Sequence, residues 1–119
     1  MPKKKEVELI KRDRPECLTG ETWRARTGCG KIYVTVNIDG NGRLFEVFAN
    51  MGKAGGCASS QTEALGRLVS LILRCGGSLE RIVKQLDGIS CHTSNGKSSS
   101  CANAVASVLK KYDHGEEKK

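Results

Sequence analysis

The chain has 119 residues, which fits one domain of ordinary size and excludes a large barrel enzyme. Hydrophobic residues make up 38% of the sequence and aromatic residues only 4%, so the core must be aliphatic. The net charge of +7 permits an anionic partner but does not identify one. No apolar run approaches the ~18 residues of a membrane span. The basic N-terminus is not followed by the apolar stretch that a secretory signal requires. We therefore expect a cytoplasmic protein that does not bind membranes.

Residues 1–20 are predicted to form a basic, flexible arm. Six Lys and Arg residues lie within positions 1–14, and few apolar residues accompany them. At the other end, residues 113–119 are predicted to be a disordered tail. The folded domain is therefore expected to span residues 21–112.

The first half of this domain is predicted to be a three-stranded antiparallel meander. Residues 21–27 and 31–38 alternate between polar and apolar or small side chains, which is the pattern of half-buried strands. The Asp-Gly-Asn-Gly sequence at 39–42 tolerates positive φ and is typical of a hairpin. Residues 43–50 would form the third strand.

The second half is predicted to contain three helices. Residues 60–63, Ser-Gln-Thr-Glu, have the form of a capping box at the start of the first helix, which Gly76 and Gly77 would end. The apolar stripe of that helix would comprise Leu65, Leu68, Val69 and Ile72. Ser78 would cap the second helix, and a loop over 89–100 would lead to a third helix. Strands followed by helices indicate an α+β domain.

The apolar positions of the second and third helices are also predicted from their spacing. In the second helix they are Leu79, Ile82, Val83 and Leu86. In the third they are Val105, Val108, Leu109 and Tyr112.

Six cysteines in a sequence without a secretory signal favour metal binding or catalysis over disulfide bonds. Four of them fall on predicted turns or helix starts: Cys29, Cys57, Cys91 and Cys101. A helix N-terminus favours a thiolate, the form that binds metal or attacks an electrophile. Four thiols match a tetrahedral Cys₄ site. The residues alone leave open metal binding, unliganded thiols, and redox or sulfur-transfer chemistry.

The other two cysteines are set apart by their positions. Cys17 lies in the predicted arm and is expected to be an exposed thiol. Cys75 ends the first predicted helix and is expected to be a small buried hydrophobe.

Several sequence blocks in a fixed order are similar to a known family, at residues 14–16, 27–37, 45–48, 51–58, 63–68, 82–86 and 88–91. They resemble the TSCPD domain, which occurs at the C-terminus of adenosylcobalamin-dependent (class II) ribonucleotide reductases. The motif that names the family, Thr-Ser-Cys-Pro-Asp, is represented by Ser99-Ser100-Cys101-Ala102-Asn103. The cysteine is kept, whereas the proline of the first helical turn is lost.

The resemblance implies that Cys29, Cys57, Cys91 and Cys101 are the recurring cysteines of the family and bind a metal, either zinc or an iron–sulfur cluster. It implies a free-standing, metal-binding accessory module of deoxyribonucleotide synthesis and DNA replication. The family label would be ribonucleoside-diphosphate reductase, but we predict no catalytic residue and no ribonucleotide reduction by this chain alone. Adenosylcobalamin would be bound only by a partner reductase catalytic chain.

A weaker similarity concerns the order of elements. A Cys-Gly at a strand corner, a Gly-Cys before a helix and a Cys opening the last helix resemble NifU-type iron–sulfur scaffold proteins, which implies a SufE/NifU-like fold. One alternative function is therefore an iron–sulfur scaffold or sulfur carrier. A second is a nucleic-acid binding module that uses the basic arm 1–14, although the aromatic content is low and no base-reading motif is present.

Overall fold

The computed structural model describes residues 10–28, 30–52, 56–91 and 98–113. Its first half is an antiparallel sheet in the order β1 (Thr19–Thr27), β2 (Gly30–Ile38) and β3 (Leu44–Met51). The second half contains α1 (Gly56–Arg74), α2 (Leu79–Leu86), the short pair β4 (Ser90–Cys91) and β5 (Ser98–Ser99), and α3 (Cys101–Lys110). The predicted α+β arrangement of a meander followed by three helices is confirmed.

The β2–β3 hairpin turns as its sequence predicts. The Gly42 N–H donates to the Asp39 carbonyl (3.0 Å), and Gly42 adopts a φ of +82°. The Asp39 carboxylate accepts from the Asn41 and Arg43 N–H groups (2.8 and 3.0 Å) and so holds the loop closed. These bonds explain why Asp and Gly are needed at these positions.

One face of the sheet forms the core with the helices. Ile32, Val34 and Val36 of β2 have no solvent exposure, and neither do Val105 and Leu109 of α3. Val108 of α3 and Ile82 and Val83 of α2 are also buried, while Leu79, Leu86 and Tyr112 are partly buried against the same cluster. The core is aliphatic, and the predicted apolar faces of α2 and α3 are confirmed.

Helix α1 covers the free edge of β3. The Ser70 hydroxyl accepts from the Val47 N–H and donates to the Val47 carbonyl, both at 2.9 Å. One turn earlier, a Cβ at Gly66 would lie 3.1 Å from the same carbonyl oxygen. The small side chains at 66 and 70 therefore let the helix approach the strand and satisfy its outward backbone groups.

Replacing Ser70 with Ala should destabilise the fold by about 1–3 kcal/mol, because the partly buried Val47 N–H and carbonyl would lose their partner. The matched control is Ser107→Ala on α3, where an exposed hydroxyl donates to the Asn103 carbonyl of its own helix. That change should stay within about 0.5 kcal/mol. Urea unfolding of both variants measures the difference, and equal stabilities would contradict the role of Ser70.

The prediction for the start and buried face of α1 is wrong in two respects. The helix begins at Gly56, so residues 60–63 lie inside it and form no capping box. Leu68 and Ile72 are 60% and 44% exposed, although Val69 of the predicted stripe is buried. The buried face follows Thr62, Gly66, Val69 and Leu73. Close contact between α1 and β3 requires small residues on the helix. For this reason Gly66, and not Leu68, faces the sheet.

The ends of the helices mostly follow their sequence signals. After α1, the Gly77 N–H donates to the Ile72 carbonyl and the Gly76 N–H to the Leu73 carbonyl, with Gly76 at a φ of +90°. This is the Schellman arrangement that ends helices at glycine. The Ser78 side chain caps α2 by accepting from the Arg81 N–H. The predicted 89–100 loop contains β4 and β5, which sequence patterns cannot indicate because each strand has two residues.

Two arginines of the predicted flexible arm make specific contacts with the domain. Arg12 donates to the Leu73 and Arg74 carbonyls at the end of α1, stacks on Phe45 (4.8 Å to the ring centroid) and pairs with Asp39 (3.0 Å). A cation at this position offsets the negative end of the helix dipole. Arg14 pairs with Glu46. Residues 1–9 lie outside the described part of the chain, so the arm remains a prediction there.

Within the described residues, no helix is long and apolar enough to cross a membrane.

Candidate metal centre

One of the four predicted ligands, Cys101, is the first residue of α3, and the structure describes its side chain. Ser100 caps this helix: its hydroxyl accepts from the Asn103 N–H at 2.9 Å. Cys101 therefore lies in the first turn, where the free N–H groups carry partial positive charge that suits a thiolate. The prediction that Cys101 opens the third helix is confirmed.

The Cys101 sulfur is partly buried between the ends of two strands of the sheet. It lies 3.8 Å from Oγ1 of Thr27, the last residue of β1, and 3.7 Å from Sδ of Met51, the last residue of β3. Sequence reasoning missed both neighbours. The available signal was the predicted meander itself. Its first and third strands run in the same direction, so their C-terminal ends lie at the same end of the sheet.

The β1–β2 connection is the segment that carries Cys29. The Thr27 hydroxyl donates to the Gly30 carbonyl (2.9 Å), and Thr27 pairs with Gly30 across the two strands. Cys29 itself lies outside the described residues. Its neighbours in the chain are nevertheless at the same end of the sheet as the Cys101 sulfur.

Cys57 and Cys91 are placed through their backbones, and their side chains lie outside what the structure describes. Cys57 is the second residue of α1, not a residue before it as predicted, and α1 follows the end of β3 after residues 52–55. Cys91 pairs with Ser98 in the β4–β5 ladder, and β5 leads through Ser100 into Cys101. The Ser100 N–H also donates to the Ile89 carbonyl, at 3.4 Å.

The fold thus brings the segments that carry the four predicted ligands toward one end of the sheet. The donor chemistry fits a soft or borderline metal, since four thiolates in tetrahedral geometry suit zinc or iron. Among the residues with described side chains, no group of three or more His, Cys, Asp or Glu residues is assembled. The Cys29, Cys57, Cys91 and Cys101 ligand set therefore stays a prediction.

The two remaining cysteines lie elsewhere. Cys17 is exposed and precedes β1, as predicted. Cys75 follows α1, where its N–H donates to the Leu71 carbonyl at 3.0 Å, and it is only partly buried. The prediction of a buried Cys75 is therefore too strong, because the neighbouring Leu71 and Ile72 face outward.

Comparison with protein families gave a match to the TSCPD domain over residues 3–113. No match was found to a curated protein or to a solved structure. The family match spans the sheet, the three helices and all six cysteines. The chain therefore belongs to the TSCPD domain family.

Proposed function

We propose that the chain is a metal-binding accessory module of deoxyribonucleotide synthesis, in which Cys29, Cys57, Cys91 and Cys101 hold one zinc ion. The observation that carries the metal site is the position of Cys101. Its sulfur lies at the positive end of α3, between the ends of β1 and β3, and the β4–β5 ladder leads directly into it. Segments with the other three cysteines adjoin these elements.

Zinc at this position would be structural. When bound by four thiolates it supplies a crosslink and folding free energy, and it leaves no open coordination position for a substrate. The chain's own contribution is to place Cys57 and Cys101 in the first turns of α1 and α3, where backbone N–H groups are available to sulfur. The link to deoxyribonucleotide synthesis rests on family membership, and the catalytic barrel with its adenosylcobalamin would belong to a reductase catalytic chain.

Elemental analysis of the full chain, purified without a His tag, tests the metal site. We expect about one zinc per chain and no visible absorption. Iron with a broad visible band would instead identify a cluster and favour the iron–sulfur alternative. Protein that contains neither metal, even after refolding with zinc, would contradict the proposal. Association with a class II reductase catalytic chain lacking its own tail, measured by gel filtration, tests the second half separately.

A further inference from the structure

The sheet has a second face, opposite the one that carries Thr27 and Met51 beside the Cys101 sulfur. We define the outer sheet face by the side chains that point away from the core, on Thr22, Arg24, Arg26, Lys31, Tyr33, Thr35, Asn37, Glu46, Phe48 and Asn50. The register confirms that they share one side, because Arg24, Tyr33 and Asn50 are cross-strand partners, as are Thr22, Thr35 and Phe48. Of these ten residues only Glu46 is buried.

The exposed charges of the outer sheet face are all positive. Arg24, Arg26 and Lys31 are exposed, and Arg26 is paired in register with Lys31. The one acidic residue of the face, Glu46, is 4% exposed and accepts hydrogen bonds from Arg14 (2.9 and 3.0 Å) and Asn37 (2.7 Å). Burial would raise the pKa of Glu46, but these bonds and the charge of Arg14 outweigh it and lower the pKa. The carboxylate therefore neutralises Arg14, and within the described part of the chain Arg24, Arg26 and Lys31 form no ion pair.

Two of the five aromatic residues of the chain lie on this cationic face. Phe48 is 48% exposed, so about half of this residue is accessible to a ligand. Tyr33 is partly buried, with its ring edge against Gly52. Tyr33 faces Asn50 and Phe48 faces Thr35, so Tyr33 and Phe48 are diagonal neighbours on adjacent strands, positions that lie about 7–8 Å apart in an antiparallel pair.

A groove of about 660 Å³ extends the same surface past Phe48, between β3 and α1. Its lining includes the cationic side chains of Lys11, Arg67 and Arg74. Arg67 also pairs with Glu63, but both side chains are well exposed, so the pair is weak. The positive surface therefore continues from the strands onto the helix.

We propose that the outer sheet face binds single-stranded nucleic acid. Cations in a row bind phosphates, and exposed aromatic rings on a sheet stack bases that a single strand leaves accessible. An acidic protein would satisfy the cations but gives no reason for the exposed ring of Phe48 among them. The strand residues that carry this proposal belong neither to the basic arm 1–14 nor to the four predicted metal ligands, so its test can fail while the metal site is confirmed, and the reverse.

Fluorescence anisotropy of the full chain with a labelled 15-nucleotide single strand tests the proposal. The slope of log K against log [salt] should be about −2 or steeper, since each of three cations that contact phosphates contributes about −0.7. Arg24→Gln with Arg26→Gln should make the slope less steep by about 1.4. The matched control is Arg81→Gln with Lys84→Gln, which removes two exposed positive charges from α2 and should leave the slope unchanged.

The aromatic contribution is measured with Phe48→Ala and with the more conservative Phe48→Leu. Loss of a base–ring stack should weaken binding about fivefold or more. Leu68→Ala, an exposed apolar change on α1, should have no effect. Circular dichroism of each variant establishes that it is folded.

Three results would overturn the proposal. The first is no binding of the single strand at low salt. The second is binding that survives all outer-face variants but is lost when Lys3, Lys4 and Lys5 are changed, which would assign it to the arm. The third is equal binding of heparin and of the single strand without any effect of Phe48, which would indicate a surface for polyanions in general.

Discussion

Replacing Cys101 with Ser should remove the bound zinc and lower the melting temperature in the same variant. If Cys101 is a ligand, the loss of a structural zinc removes folding free energy of order several kcal/mol. If it is not, Ser at this partly buried helix start should cost only about 1 kcal/mol, because Ser is tolerated in a first turn. The size of the loss therefore separates a ligand from a packed thiol.

The controls for this variant are the two cysteines outside the site. Cys17→Ser changes an exposed side chain and should alter neither metal content nor stability. Cys75→Ser should lose a little stability and keep its zinc. A Cys101→Ser protein with full metal and near wild-type stability would exclude Cys101 from the site.

Replacing Leu109 with Ala should destabilise the protein by about 2–5 kcal/mol, since it empties a fully buried position in α3. The same substitution at Leu68 should stay within about 0.5 kcal/mol, because Leu68 is 60% exposed. Chemical unfolding of both variants compares identical side-chain deletions at two helix positions. A larger loss at Leu68 would mean that the buried face of α1 is the one its sequence predicts.

The sheet was predictable because its signals are local. Alternation in β1 and β2 and the Asp39–Gly42 turn are each contained within a few residues, and the structure confirms them. Gly76 and Ser78 likewise mark helix ends through bonds to residues at most five positions away. Where a residue's partner is near in sequence, its type alone indicates its role.

The buried face of α1 could not be predicted from its own residues. Apolar residues at 65, 68, 69 and 72 suggest one stripe, but the helix must fit the exposed backbone of β3. Gly66 and Ser70 permit that fit, and Leu68 does not. Tertiary contact therefore overrides the hydrophobic pattern.

The contacts of Arg12 and Arg14 could not be predicted from the sequence, for a related reason. Arg12 bonds the Arg74 carbonyl, 62 positions away, and Arg14 bonds Glu46, 32 positions away. Charge-rich segments usually indicate solvated chain, and nothing local distinguishes these two arginines. The outer sheet face, by contrast, follows from the alternation of residues in the predicted strands, which places Arg24 and Tyr33 on the same, polar side. Only the structure shows how far the residues of this face are exposed.

For the candidate site, the sequence could indicate turns and helix starts as the locations of cysteines. It could not show that the ends of β1 and β3 meet at α3, because that depends on packing between segments up to 74 positions apart. The prediction that Cys101 begins α3 is confirmed. The prediction that Cys57 precedes α1 is wrong, because the helix begins at Gly56.

The most direct measurement is alkylation of the intact protein followed by mass spectrometry of its peptides, before and after treatment with a chelator. In the metal-loaded protein, Cys17 should react quickly, since it is exposed. Cys29, Cys57, Cys91 and Cys101 should react only after the chelator removes the metal. Fast labelling of any of these four with Cys17 protected would contradict the assignment and favour a thiol-reactive or sulfur-transfer protein.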